Sequence, residues 1–415
     1  MNVGIVGLGY VGLPLAVAFC EAGHDVVGVE VDPRKVGALK AGESYIEDVP
    51  AGTLAGISER FFPTLRVAEL SRCDAVIIAV PTPLTRNREP DLSPLVAATS
   101  SIAGVLQRDQ LIVLESTTYP GTTRERLVPL LEESGLAAGS EFNLAFSPER
   151  IDPGRTDYTM RNTPKVVGGL TDACRERAVA LYSEVCDHVV PVSTPEVAEL
   201  TKLLENVFRS VNIALVNELA MLCDRMDIDV WEVVNAASSK PYGFMRFEPG
   251  PGMGGHCLPV DPFYLSWRAR EFGSSTDFIE LAGEVNQAMP RFCAEKVSRA
   301  LNEHSKAVRG SRIAILGVSY KAGVGDLRES PALKIIQLLG EAGGEIVYHD
   351  DHVPELAEFG LASLPLDEAL EGCDVAVVVT AHPDLDLDRV LERAPLVVDF
   401  RGVTPGSGVP NLVRL

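Results

Sequence analysis

Residues 4–23, "GIVGLGYVGLPLAVAFCEAG", run from a short apolar strand into Gly7-Leu8-Gly9-Tyr10-Val11-Gly12 and on into an apolar helical stretch. Glycines at this spacing let the backbone turn tightly and approach a pyrophosphate, and the helix that follows offers N–H groups and the positive end of its dipole. Glu30 closes the next apolar run, "VVGVE", about 20 residues on, where an acid binds a ribose diol. Strand, turn, helix, second strand and acid together predict a dinucleotide-binding unit rather than a tight turn alone. Glu30 favours NAD over NADP, and the nearby Arg34 counts in the other direction.

Beyond this unit the pattern repeats. "HDVVGVEV", "DAVIIAVP", "LIVLEST", "FNLAFSP", "PKVVGG" and "HVVPVS" are short Val/Ile-rich runs separated by helical stretches, up to about residue 190. Continuous apolar runs belong to strands covered on both faces, hence a parallel sheet with crossover helices. Residues 194–224 read as one long helix, with Ser193 and Glu196 spaced as a capping box and Pro195 in its first turn. Helical patterning continues to about 300, broken by a Gly/Pro loop, and "SRIAILGVSYK" at 311 begins a second strand–helix alternation. The fold class expected is α/β: two Rossmann-like doubly wound domains joined by a long central helix and a helical middle domain. The boundaries expected are 1–192, 193–305 and 306–415.

A length of 415 residues fits two or three domains, and 46% hydrophobic with 23% charged residues is a soluble globular composition without a membrane span. The net charge of −21 argues against nucleic-acid or anionic-membrane partners, which require a basic face. An anionic small ligand must then be gathered by a few local cations. The N-terminus enters its first strand with no leader ahead of it, and the eight cysteines are scattered singly, so a cytoplasmic location with reduced thiols is expected. Seven of those cysteines need only packing to explain them.

Four segments carry side chains suited to chemistry. Lys202, Asn206 and Arg209 share one face of the long helix, either as a solvated stripe or, amid apolar neighbours, as donors to an anionic intermediate. Thr117 in "LESTTYPGTT" and Glu149 in "AFSPERIDPG" each follow a strand, at the carboxyl edge where doubly wound sheets bind ligands, although the same residue types also build turns. In "PGPGMGGHCLPVDP" (249–262), glycines that admit a close ligand precede Cys257, with His256 and Asp261 nearby. A buried inert thiol and a nucleophile both remain open there. "LGVSYKAGVGDLRESPA" (316–332) is a strand-to-helix turn without GxGxxG, so a nucleotide phosphate or uridine fits better than a second dinucleotide, with Lys321, Arg328 and Arg401 as the local cations.

Taken in order, "GLGYVGLPLA", "ESTTYPGTT", "FSPER", "LTKLLENVFRSVNIALVNE", "PGPGMGGHCLPVDPFYLSW" and "GVSYKAGVGDLRESPA" resemble the UDP-glucose/GDP-mannose dehydrogenase family over essentially the whole chain. "SPERIDPG" and the cysteine segment are most similar to its UDP-N-acetylglucosamine 6-dehydrogenase branch. Where UDP-glucose enzymes usually carry a lysine and a second glutamate, this chain has Val260 and Pro153.

The resemblance implies a four-electron oxidation of a UDP-sugar C6 alcohol to the uronic acid, using NAD twice and no metal. By similarity Cys257 forms a thiohemiacetal and then a thioester. Lys202 and Asn206 would stabilise oxyanions, Asp261 would act as general base, and Thr117 with Glu149 would organise the water. Cofactor contacts carry over to Gly7, Gly9, Tyr10, Val11, Gly12, Glu30, Arg34, Thr82, Thr117 and Arg328. Substrate contacts carry over to Glu149, Arg150, Lys202, Asn206, Gly254, Lys321 and Arg401. A homodimer through the central helix is implied, with Arg246 reaching the sugar nucleotide. UDP-N-acetylmannosamine and UDP-glucose are alternative substrates. A one-step β-hydroxyacid dehydrogenase and a silent NAD-binding protein are rival readings.

Overall fold

The computed structural model describes residues 1–46, 49–85, 89–151, 157–255, 261–406 and 409–415. They divide into two compact units, Met1–Glu205 with Phe263–Ser275, and Asn206–Pro262 with Thr276–Leu415. Among the described residues no helix is long and apolar enough to cross a membrane.

The first unit is built on strands β1 (Asn2–Val6), β2 (Asp25–Val29), β3 (Phe61–Thr64), β4 (Ala75–Ile78), β5 (Leu111–Leu114), β6 (Asn143–Phe146), β7 (Lys165–Gly169) and β8 (Val189–Val192). Their order in the sheet is β3-β2-β1-β4-β5-β6-β7-β8. The first six reproduce the doubly wound order, which places a ligand crevice where β1 and β4 diverge in their connections. Alternate residues serve opposite faces: Val3, Ile5, Ala75 and Ile77 join one apolar core, and Val6, Val76, Ile78 and Ile112 the other. Coverage on both faces is why these strands are apolar without alternation.

Two strands depart from the expected parallel sheet, β7 and, parallel to it, β8. β7 runs antiparallel to β6, with Ala145 opposite Gly169 and Phe146 opposite Gly168. A reversed strand begins where its neighbour ends, so Lys165 lies at the carboxyl edge beside the segment that follows β6. β3 is also additional, since "FFPT" is short and proline-bearing and gives little strand signal.

The long helix spans Pro195–Met226, 32 residues, and is shared by the two units. Its cap is displaced by one residue from the expected box. Thr194, not Ser193, accepts from the Val197 N–H at 3.4 Å, and Glu196 pairs with Arg124 at 2.7 Å while its carboxylate also takes a hydrogen bond from the Thr194 side chain. Pro195 sets this register, because proline is favoured at the first helical position, where its missing N–H costs nothing.

In the second unit β9 (Arg312–Leu316), β10 (Glu345–His349), a small hairpin of β11 (Glu355–Leu356) and β12 (Leu361–Ala362), β13 (Val375–Val378), β14 (Val397–Asp399) and β15 (Leu412–Arg414) follow in sequence. The sheet order is β10-β9-β13-β14-β15, and all its pairs are parallel. The helical region packs on one face of it. Ala220 of the long helix, Trp231, Met289 and Cys293 share a core with Ile313 and Ile315. Ala314 and Leu316 face the opposite core.

Candidate active site

The three turn glycines of the first unit have three different reasons. Gly7 adopts φ +92°, a left-handed conformation that side chains disfavour, and a Cβ there would meet Ala79 O at 2.6 Å. At Gly12 a Cβ would lie 1.8 Å from Gly7 O, so helix and turn can touch only if it is absent. Gly9 has nothing within 4 Å of the same position. It is the glycine at which a ligand can approach. The helix Gly12–Glu21 starts at Val11 with no side-chain cap and no acid in its first turn, which suits an anion at its N-terminus.

Glu30 is buried at the end of β2, and its carboxylate accepts from the N–H groups of Leu8 (3.1 Å), Val31 (2.8 Å) and Asp32 (3.2 Å). These bonds fix the acid beside the turn. Arg34 is engaged by its own cap residue: its guanidinium meets both oxygens of Asp32 at 3.1 and 2.8 Å. Thr82 donates to Thr117 O at 2.7 Å and receives the Tyr264 hydroxyl on its carbonyl at 2.9 Å, so the segments after β4 and β5 are tied together.

Next along the same edge lies a charged cluster. Glu149 accepts from the Arg150 and Ile151 N–H groups (2.8 and 2.6 Å) and from Lys165 Nζ at 3.2 Å. Lys165 also meets Glu115 at 3.1 Å, and the Tyr182 hydroxyl donates to the same Glu115 oxygen. Burial by itself would raise the Glu149 pKa, but Lys165, the Ile151 N–H and Lys202 together hold it below the ordinary glutamate range. For Glu115 burial prevails and the pKa is raised. Arg150 is committed to Glu205 at 2.6 and 3.3 Å and to Pro164 O. Glu199, one turn before Lys202 on the long helix, accepts from the Gly121 and Thr123 N–H groups at 2.6 and 2.8 Å, which anchors the "TTYPGTT" loop. Burial pushes Glu199 up to about 7 although these donors oppose it.

In the second unit Asn206 Nδ2 donates to the Asp261 carboxylate, with both residues buried and Asp261 opening the helix Asp261–Glu271. Asn206 is one turn beyond Lys202 on the long helix. Cys257, with His256 and Val260, lies outside the described residues, as does Pro153. The loop leading to Cys257 is held along its length. Gly250 N–H donates to Asn217 at 2.9 Å, Gly255 (φ +90°) donates to Arg328 O at 2.8 Å, and a Cβ on Gly254 would lie 2.6 Å from Tyr320 Cβ. Arg401 approaches the same loop, since its Nη1 would be 2.9 Å from a Cβ on Gly250. Arg328 makes a forked pair with Asp326 at 3.0 and 2.6 Å. Ser319 fixes the Lys321 carbonyl at 2.8 Å. Arg246 is bound by Glu248 at 3.1 Å and Asn235 at 2.8 Å.

Glu115, Lys165 and Glu199 are the residues that sequence reasoning passed over. "PKVVGG" reads only as one more apolar strand, and the reversal of β7 reveals the place of its lysine.

A glycine turn open at Gly9, an uncapped helix N-terminus and a buried acid fixed beside the turn are the features of a dinucleotide-binding unit. Residues 1–186, 196–288 and 314–406 match, in turn, the NAD binding, central and UDP binding domains of the UDP-glucose/GDP-mannose dehydrogenase family, and the chain belongs to that family. It is an NAD-dependent nucleotide-sugar dehydrogenase. It is 35% identical over 397 residues to a UDP-N-acetyl-D-glucosamine 6-dehydrogenase of Pseudomonas aeruginosa, covering 94% of this chain and 93% of that protein. An NDP-N-acetyl-D-galactosaminuronic acid dehydrogenase of Ralstonia nicotianae is 36% identical over 418 residues, covering 97% and 96%. The solved structure of a UDP-D-ManNAc dehydrogenase from Pyrococcus horikoshii superposes with a TM-score of 0.92 at 32% identity, covering 100% of this chain and 98% of that one.

The different roles of the turn glycines predict different failures. Gly12→Ala should lower stability by about 1–3 kcal/mol through overpacking, read as a fall in the thermal midpoint. Gly9→Ala should leave that midpoint unchanged and weaken NAD binding about tenfold or more, ~1.4 kcal/mol, by calorimetric titration. Unaltered NAD affinity in Gly9→Ala would contradict the assignment of the pyrophosphate site.

Proposed function

We propose that the chain oxidises the C6 alcohol of a UDP-N-acetylhexosamine to the carboxylate, with UDP-N-acetylglucosamine the favoured substrate. NAD, held by the Gly7–Gly12 turn and Glu30, would supply the hydride acceptor for two successive oxidations at C6. After the first, the Cys257 thiolate adds to the C6 aldehyde, and Lys202 and Asn206 stabilise the oxyanion of the resulting thiohemiacetal. Loss of the second hydride leaves a thioester on Cys257. Water positioned by Thr117 and Glu149 cleaves that thioester, releasing the acid and the free thiol, and Asp261 takes up the protons as general base.

The observation that carries this reading is the buried Asn206–Asp261 hydrogen bond, which couples the helix-borne amide to the acid four residues past Cys257. A buried amide holding a buried carboxylate is a preorganised pair, in the position where oxyanion chemistry needs donors and an acceptor. The fork between Arg328 and Asp326 and the fixed Lys321 backbone support a phosphate-binding role for the turn after β9. The relatives described above are all named for N-acetylated sugars. With Val260 and Pro153 in place of the UDP-glucose pattern, they favour an N-acetylated substrate, and UDP-N-acetylmannosamine and UDP-glucose are the alternatives.

On this reading residues 1–192 bind NAD, 193–305 carry the cysteine loop, and 306–415 bind the UDP moiety, in a cytoplasmic homodimer. Support for the dimer is an apolar stripe of the long helix, where Leu200, Leu204, Phe208, Leu215, Leu219 and Leu222 are each 41% to 62% exposed. They fall within a sector about 100° wide, the stripe that a helix buries against a partner.

In a panel of UDP- and GDP-sugars, UDP-N-acetylglucosamine should give the highest kcat/KM for NADH production, and a higher value for another sugar would displace it. Cys257→Ser should bind NAD normally and form no uronic acid; an unimpaired variant refutes the nucleophile. By analytical ultracentrifugation the chain should be a dimer that Leu215→Glu converts to a monomer, and a monomeric parent chain would overturn the dimer.

A further inference from the structure

Lys165 is 3% exposed, Glu115 1%, and Tyr182 is fully enclosed, so this ammonium and its partners sit within the first unit away from water. The register explains how they meet. Extending the antiparallel pairing of β6 and β7 past Phe146 and Gly168 sets Lys165 across from Glu149. Parallel pairing of Leu114 with Phe146 brings Glu115 to the same edge from β5. The reversal of β7 thus puts a cation between two carboxylates.

A bridge selected for stability alone would satisfy all its polar atoms, because buried ion pairs rarely stabilise a fold more than apolar residues of similar volume. Here Glu115 Oε2 is buried with no hydrogen-bond partner. One buried carboxylate oxygen is thus left unsatisfied, which is costly unless something uses it.

We propose that Lys165 is a positioning residue for the oxidation, which holds the Glu149 carboxylate in place and is itself held by Glu115 and, through Glu115, by Tyr182. The proposal rests on the role assigned above to Glu149. Glu149 is faced by Lys165 and, beyond it, Glu115 from the sheet, by Lys202 from the long helix, and by the Arg150 and Ile151 N–H groups of its own segment. Behind Lys165 lie Tyr182 and Cys186. Arg150 is turned to Glu205, so Lys165 and Lys202 supply the positive field.

The signs follow. Removing the ammonium raises the pH at which Glu149 ionises, and removing the Glu115 charge lowers it. Profiles of kcat against pH distinguish this from a purely structural role, which would reduce activity without moving the limb. Lys165→Met should shift the acid limb upward by about one pH unit or more. Adding Glu115→Gln should bring the limb back down, and Lys165→Arg should restore it to the parent position. NAD titration of each variant checks that the first unit is folded. Should Lys165→Met not fold, Lys165→Arg and Glu115→Gln decide, since under the proposal the first preserves the acid limb and the second lowers it or moves it below the measurable range. A limb unmoved by the Lys165 and Glu115 variants but absent in Glu149→Gln overturns the positioning role and leaves Glu149 in the chemistry. A limb that persists in Glu149→Gln overturns the role of Glu149, and this proposal with it.

Discussion

An ammonium enclosed by carboxylates at the edge of a sheet is the constraint around which the first unit is arranged. Lys165 cannot be moved into water without leaving Glu115 and Glu149 facing one another, and Glu149 cannot be moved without uncovering Lys165. Breaking one partner from such a group is far costlier than never having built it. The reversed strand, the "SPER" segment after β6 and the edge of β5 are therefore held in one arrangement. Lys202 adds its charge to the same field from the long helix, whose earlier turn is anchored by Glu199 to the loop carrying Thr117.

The two sheets use one device for different ends. Gly7 ends β1 with φ +92° and Gly317 ends β9 with φ +76°, and in both places a Cβ would strike the carbonyl of the neighbouring strand's end, Ala79 or Thr380. Each turn is met by an acid from the adjacent strand, Glu30 in the first and Asp350 in the second. Asp350 is spent internally: it accepts from the Val318, Ser319 and His352 N–H groups and from His382, whose other ring nitrogen accepts from Gly323 N–H. Ser319 stands two residues after Gly317, where Gly9 stands after Gly7. Asp350 thus fixes the start of the segment bearing Lys321, in the region that matches a UDP binding domain.

Much of this was legible in the sequence because local constraints dominate it. Gly7, Gly9, Gly12 and Glu30 must occur together for the crevice to form, and they stand where strand and helix patterns require. The apolar runs became strands in the expected places, with both faces buried in β4 and β5, while β8 is partly exposed. What escaped depends on partners distant in sequence. The direction of β7 is not encoded in "PKVVGG", so nothing there marked Lys165 out. β3 is interrupted by a proline and β15 ends on a charged residue, so neither registers, and a one-residue shift of the helix cap from Ser193 to Thr194 follows from Pro195 occupying the first turn. The pairing of Arg34 with Asp32 likewise could not be told from a residue free to meet a phosphate.

The central claim is that one chain carries an alcohol through to an acid by way of a covalent intermediate. Its most direct test is the ratio of NADH formed to UDP-N-acetylglucosamine consumed under limiting substrate, with the product identified by mass spectrometry. Two NADH for each sugar nucleotide and a uronic acid product are the result expected; one NADH with an aldehyde or ketone product would contradict it.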